Sequence, residues 1–320
     1  MTESSRGMEN APEAMQIEAT KTGEAPSDQA RPDARTLAAF AVLVVLVAAN
    51  VVAIRFTNRE LPPFWGAGTR LASASMLFFV YVLIRRLPLP RGRALAGTLL
   101  FGVLQFGTGF ALVYWALLEV PAGLASIILA SIPLFTLMFA FVARIERLRI
   151  RGVVGALAAI GGLAIMFREP AGKDIPLAYL LATVGTAACF ALAPVVVKAF
   201  PPVHLATMNA IGMLTGAVML LGLSLAYGEG AVIPKDPVTW AAHLYLVLPG
   251  SVGVFALLLF VLKRWTASGV SYQTVLSPLV TIALSAWLLG EPLTGGLFLG
   301  GSLVIAGVYV GALAPDRHGG

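Results

Sequence analysis

The sequence predicts an all-α integral membrane protein with ten transmembrane helices, arranged as two inverted five-helix repeats. Three observations carry that expectation. The chain is too apolar for a soluble core, its apolar windows have membrane-spanning length, and one motif occurs twice, 145 residues apart. Of 320 residues, 58% are hydrophobic and 12% charged, with a mean hydropathy of +0.87. A soluble domain does not bury that much apolar surface.

Windows of roughly 16 to 25 apolar residues, enough to cross a hydrocarbon layer of about 30 Å, recur from residue 36 to 313. They cover 36–54, 64–84, 94–118, 122–143, 152–167, 176–197, 203–227, 240–262, 269–289 and 293–313. Each break carries Pro, Gly or charge: Arg55 and the Pro62–Pro63 pair after the first window, "RRLPLPRGR" after the second, Pro121 before the fourth, "RIERLRIRG" after it. Lys198 and Pro201–Pro202 separate the sixth and seventh, and Lys263–Arg264 close the eighth. Without water in the hydrocarbon to satisfy backbone groups, spans of this length form helices; barrel strands are shorter and alternate in polarity.

Residues 1–35 differ from the rest, with seven acidic and four basic side chains among Ala, Pro and Ser. They read as a disordered cytoplasmic tail with no secretory leader pattern. Residues 314–320 read as a short second tail. Lys and Arg are retained on the cytoplasmic side of short loops. Fourteen lie at the span-proximal ends of the two tails (Arg31, Arg35, Arg317) and at alternate breaks, against five at the remaining breaks (Arg55, Arg59, Arg168, Lys173, Lys235). Both termini are therefore expected in the cytoplasm, in a multi-pass protein of the inner (plasma) membrane. The basic clusters then serve topology and lipid headgroups rather than nucleic acid. Cys189 stands alone and lies in an apolar run, so no intrachain disulfide is expected.

A shift of 145 superimposes Ser126 on Ser271, Pro133 on Pro278, Thr136 on Thr281, Glu146 on Glu291, Gly155 on Gly300 and Gly162 on Gly307. The fourth and fifth windows thus match the ninth and tenth. A unit of five spans forces the second copy to enter the membrane from the opposite side. The units are expected at 36–168 and 176–313. Inverted repeats are a device of secondary transporters, whose halves exchange conformations around a site near the bilayer midplane.

The stretches "PAGLASIILASIPLFTLMFAFVARIERLRIRGVVGALAAIGGLAIMF" and "ASGVSYQTVLSPLVTIALSAWLLGEPLTGGLFLGGSLVIAGVYVG" resemble the EamA module of the drug/metabolite transporter superfamily. Its pattern is an Ala/Ser-rich helix with a Pro, a Glu at the helix end and a Gly-rich helix after it; Arg70 matches the Arg usual in its second helix. The first copy departs at "ARIE", where the motif has Gly before its Glu. The resemblance implies export of amino acids or related small amphipathic metabolites, with sugar-phosphate or nucleotide-sugar transport as the alternative. A non-transport membrane sensor or scaffold, and a lipid-acting membrane enzyme, are the readings outside transport.

Proline inside a helix leaves the carbonyl four residues earlier without its donor: Leu129 for Pro133, Thr274 for Pro278. Ser126, Leu129, Pro133 and Thr136 share one helix face, and Ser271, Thr274, Pro278 and Thr281 share the equivalent face. We expect Pro133 and Pro278 as hinges and the hydroxyls as substrate contacts; kinked packing helices are the other reading. Gln105, in mid-span, bonds either another helix or substrate. Phe106, Phe190, Phe255 and Tyr272 are candidate walls of an apolar pocket. For Arg70 a substrate carboxylate and a structural role in an outer vestibule both stand, while Arg55 and Lys198 read as snorkelling anchors. Gly296 with Gly300 and Gly307 with Gly311 fit close helix packing, with a homodimer as a further reading.

No metal-spaced His/Cys cluster, nucleophile elbow or phosphate-cradling loop is written in the chain. No catalytic residue, metal or cofactor is expected. All 16 carboxylates lie in tails, breaks or span ends, which argues against a carboxylate proton relay and for gradient-driven transport.

Overall fold

A computed structural model describes residues 33–143, 150–168, 175–265, 270 and 272–310. Residues 1–32 of the expected N-terminal tail, the C-terminal tail, Glu146 and Ser271 lie outside the described residues, while Ala34 and Arg35, expected in the tail, belong to the first helix. The helices are α1 (Ala34–Thr57), α2 (Pro63–Ile84), α3 (Arg93–Ala116), α4 (Ala122–Val142), α5 (Ile150–Arg168), α6 (Leu177–Val197), α7 (Leu205–Ala226), α8 (Pro237–Leu262), α9 (Gln273–Leu289) and α10 (Gly295–Val308). Among the described residues there is no strand. Seven helices (α1 to α4 and α6 to α8) are long and apolar enough to cross a membrane by length and composition; the apolar parts of α5, α9 and α10 are shorter.

Local chemistry sets the ends. Asp33 caps α1 by accepting the Thr36 N–H (2.9 Å), Asp236 caps α8 through Val238 (2.9 Å), and Thr294 caps α10 through Leu297 (3.2 Å). Pro63 and Pro237 occupy first-turn positions, where a missing N–H costs nothing. Gly290 closes α9 in the left-handed region (φ +65°), and Glu291 follows at once.

The surface is apolar around the bundle: Met76, Leu83, Ile160, Trp287 and Leu299 are all exposed. With apolar side chains both inside and out, close backbone approach at small residues holds the helices together. α2 runs along α7 and α5 along α10. A Cβ on Gly162 would stand 2.5 Å from the Gly300 carbonyl, and one on Gly307 the same distance from the Gly155 carbonyl. Gly300 and Gly307 are therefore spent on α5 within the chain.

Two features differ from the sequence expectation. First, α3 and α8 each contain a π-helical stretch, Gly102–Thr108 and Leu248–Gly253, at equivalent places in the two repeats. In α3 the glycines let α7 approach, since a Cβ on Gly102 would meet the Gly212 carbonyl at 2.8 Å; in α8 Pro249 removes a donor. Second, α4 is broken at Ala130–Ser131 into Ala122–Leu129 and Ile132–Val142, whereas α9 is continuous through Pro278.

Candidate substrate cavity

A cavity of about 260 Å³ lies between the two repeats. Its walls come from α1 (Val47, Asn50, Val51, Ile54), α2 (Arg70), α3 (Phe110, Val113), the broken part of α4 (Ser126, Leu129, Ala130, Ile132), α6 (Phe190) and α9 (Gln273, Thr274, Ser277, Pro278, Thr281). The lining is mostly apolar with a few polar groups, the usual make-up of a small-molecule site.

The break in α4 shapes one wall. Ser131 Oγ donates to the Ile128 carbonyl (2.6 Å), and the N–H of Leu134 turns to Ser131 (2.9 Å) rather than back to Ala130. Pro133 thus sits in the first turn of the second segment and has no intrahelical bond to lose. Facing it, Thr281 donates to Ser277 of its own helix (2.9 Å) and approaches the Ala48 carbonyl of α1 (3.3 Å).

Arg70 is the one basic residue among those lining the cavity. It is 3% exposed, donates from Nη1 to Tyr114 Oη (3.2 Å), and its guanidinium carbon lies 5.2 Å from the Phe110 ring centre. Its Nε is buried with no partner, and among the described residues no carboxylate forms an ion pair with it. Phe110 also packs on Phe190 (centroids 6.0 Å apart), so the cation and the aromatic wall are continuous. Asn50 donates to the Gly250 carbonyl (3.0 Å), while its Oδ1 and Ser277 Oγ are buried without partners.

One end of the cavity is fastened. Glu291 accepts the N–H groups of Ala122 (2.9 Å) and Gly123 (3.2 Å), the first residues of α4, where the helix dipole favours an anion. Arg55 pairs with the same carboxylate (Nε to Oε1, 3.5 Å) and donates to the carbonyls of Leu117 (2.9 Å) and Leu118 (3.0 Å). This clasp joins α1, the α3–α4 turn and the α9–α10 turn. Alongside it, Glu229 accepts from Phe64 (3.3 Å) and Trp65 (2.8 Å), and Glu60 accepts from Asp236 (3.1 Å). These two carboxylates stitch the α1–α2 turn to the 227–236 loop. At the other end the cavity reaches Gln273, in the first turn of α9.

The EamA-like transporter family model matches this chain twice, over residues 35–168 and 177–312. The chain belongs to that family. It is a multi-pass membrane transporter and not an enzyme. A probable amino-acid metabolite efflux pump of Salmonella typhimurium is 30% identical over 84% of this chain and 92% of its own length. An uncharacterised inner membrane transporter of Escherichia coli is 26% identical, covering 79% and 82%. A probable terminal-alkyne amino-acid exporter of Streptantibioticus cattleyicolor is 29% identical over 69% and 74%. One solved crystal structure superposes with a TM-score of 0.61 at 18% identity, covering 87% of this chain and 96% of that one, a likeness of fold.

Of the residues expected to touch substrate, Ser126, Phe190, Thr274 and Thr281 line the cavity of this EamA-like chain, as does the hinge candidate Pro278. Others stand elsewhere. Thr136 is bonded to Ile132 of its own segment (3.0 Å) and is not among the lining residues. Gln105 is half-buried in the π-helical stretch, away from the lining. Phe106 is buried against Phe101, Phe110 and the glycine face of α7 at Gly212 and Gly216, so it is a packing residue. Tyr272 is exposed and stacks near Tyr309 (6.5 Å). Pro133 belongs to the break that shapes the wall without lining it. Arg55 is part of the clasp and not a snorkelling anchor.

Asn50, Phe110, Gln273 and Ser277 were missed. Asn50 had a signal: an amide inside "LVVLVAANVVAI" is expensive in a membrane helix and marks function by default. Phe110, one of many aromatics in the spans, had none.

Proposed function

We propose that this chain exports a small amphipathic metabolite of the amino-acid type by alternating access. In this reading all ten helices span the inner membrane as two inverted five-helix repeats, with both termini cytoplasmic. The observation that carries it is the cavity itself, built from both repeats and fastened at one end by the Arg55–Glu291 clasp. With the termini inside, the clasp end faces outward, and the state described here is the one that loads substrate from the cytoplasm. Export then requires the clasp to open and the end at Gln273 to close.

The similarity to amino-acid efflux proteins supports the substrate type. So does the lining, because a sugar phosphate or nucleotide sugar calls for several cations, and Arg70 alone supplies one. None of the lining residues is a carboxylate, which favours transport down the substrate gradient over obligatory proton exchange.

Counterflow of L-leucine and L-phenylalanine into proteoliposomes holding this chain alone tests the function; absence of saturable flux for every amino acid tried overturns it. Topology is tested in a Cys189→Ser background. Arg91→Cys should react with an impermeant thiol reagent from the cytoplasm and Pro237→Cys from outside. Equal labelling of both in sealed cells removes the ten-span, N-inside arrangement.

A further inference from the structure

A guanidinium at 3% exposure without a counterion is an unfinished electrostatic arrangement. The Tyr114 hydroxyl and the Phe110 face lower the cost of burying it but carry no net negative charge. A buried ion without a partner costs several kcal/mol, and such a cation beside a cavity is best satisfied by an anion that arrives there. Arg70 is not alone. Asn50 Oδ1, an acceptor, and Ser277 Oγ, a donor or acceptor, are also buried without partners, and both side chains line the same cavity. Leu129 and Ala130, at the α4 break, also line the cavity, close in sequence to Pro133, which has no N–H to offer. The cavity therefore brings together one cation, two side chains with unpartnered polar atoms and an apolar body, in a space of about 260 Å³.

We infer that Arg70 is the anchor for a carboxylate of the transported molecule, while Asn50 and Ser277 receive its ammonium group. The inference rests on the transport reading above and names the chemistry of its site. The guanidinium presents a planar fork of donors that matches a carboxylate's two oxygens. The ammonium is a donor with no acceptor capacity and matches Oδ1 of Asn50 and Oγ of Ser277. The wall of Phe110, Phe190, Val47 and Ile54 takes the side chain. A decarboxylated amine would leave Arg70 unpaired and gain nothing from entering.

The test is binding to the purified full chain by calorimetry in a gluconate buffer, with L-phenylalanine, phenethylamine (no carboxylate) and 3-phenylpropionate (no amine) as probes. We expect the amino acid to bind at least tenfold more tightly than either analogue. Arg70→Gln should weaken L-phenylalanine at least tenfold and leave phenethylamine within about twofold, with Arg70→Lys between. Ser277→Ala should weaken L-phenylalanine and not 3-phenylpropionate. The analogue comparison on the unaltered protein stands even where an Arg70 variant does not fold.

Equal binding of L-phenylalanine and phenethylamine overturns the anchor, as does no binding of any probe. If chloride replaces the carboxylate, restoring tight phenethylamine binding, Arg70 holds an inorganic anion and the assignment falls. The two readings fail separately. Saturable counterflow of phenethylamine as fast as of L-phenylalanine would leave the transporter and remove the anchor. Arg70-dependent binding without flux would leave the anchor and remove the transporter.

Discussion

The helices α4 and α9 carry Pro and Thr of the repeated motif at the same spacing, and the structure gives them different shapes. In α4 the helix stops at Ala130–Ser131 and restarts, so Pro133 falls in a first turn and Thr136 bonds its own segment. In α9 the helix runs through Pro278, and Thr281 is buried against α1. A proline in a helix interior costs about 3 kcal/mol or more, so packing along α1 offsets in α9 what the break avoids in α4. The neighbours, not the motif, decide. Glu291 holds the N-terminus of α4 from the end of α9. In an alternating-access cycle the two helices would exchange these shapes, which makes the difference between them the property to attack.

The largest effect is expected at the clasp. Hydrogen bonds to a charged group contribute about 1.5–3 kcal/mol, which corresponds to roughly tenfold or more in the population of the fastened state. Glu291→Ala should raise labelling of a cavity cysteine, Ser126→Cys in a Cys189→Ser background, from the clasp side by about tenfold. Unchanged labelling would show that the clasp does not hold α4. Arg55→Ala leaves Glu291 on the helix N-terminus and should do less.

Next come the prolines. Pro278→Ala restores an interior helical bond and should raise the melting temperature, the bond itself contributing about 1 kcal/mol. Pro133→Ala, at a first turn, should shift stability by no more than about 0.5 kcal/mol. Both should slow transport per folded molecule several-fold. Normal flux in the Pro133→Ala, Pro278→Ala double variant would rule out the two sites as hinges.

The threonines sharpen the same contrast. Thr281→Val removes a buried hydroxyl bonded to its own helix and close to α1, and should cost about 1 kcal/mol of stability or weaken binding. Thr136→Val loses a bond within one segment and should stay within about 0.5 kcal/mol. Equal effects on melting and on substrate affinity would mean that the asymmetry between α4 and α9 has no energetic consequence.

The smallest effect belongs to the stitch beside the clasp. The Asp236 N–H holds the Glu60 carboxyl below the usual carboxylate range. A depressed folded value means the contribution is present above the ordinary pKa of about 4.3 and fades as pH falls through the folded value. Amide protection in the 227–236 loop, relative to the intrinsic exchange rate at each pH, should fall slightly at acidic pH, and Glu60→Gln should remove that dependence. The Arg55–Glu291 clasp offers the internal comparison: exchange at Ala122 and Gly123 should not follow the Glu60 substitution.

Much of this protein is legible in its sequence, because a membrane reduces the choice. Backbone groups in hydrocarbon must bond within the segment, so apolar length alone fixes helices, and the 145-residue repeat fixes their grouping. The motif also picked out Ser126, Thr274, Pro278 and Thr281 on the cavity wall, and Phe190 stood among the aromatic candidates. Periodicity says which residues share a face of one helix; it does not say what that face meets. Whether Thr136 or Thr281 reaches the cavity, whether a proline breaks its helix, and whether Phe106 packs on glycines of α7 all depend on neighbours far along the chain. The same holds for Arg70, which the sequence left between a vestibule and a ligand. Its meaning rests on the absence of any carboxylate partner among the described residues, a fact about three-dimensional surroundings that no spacing encodes.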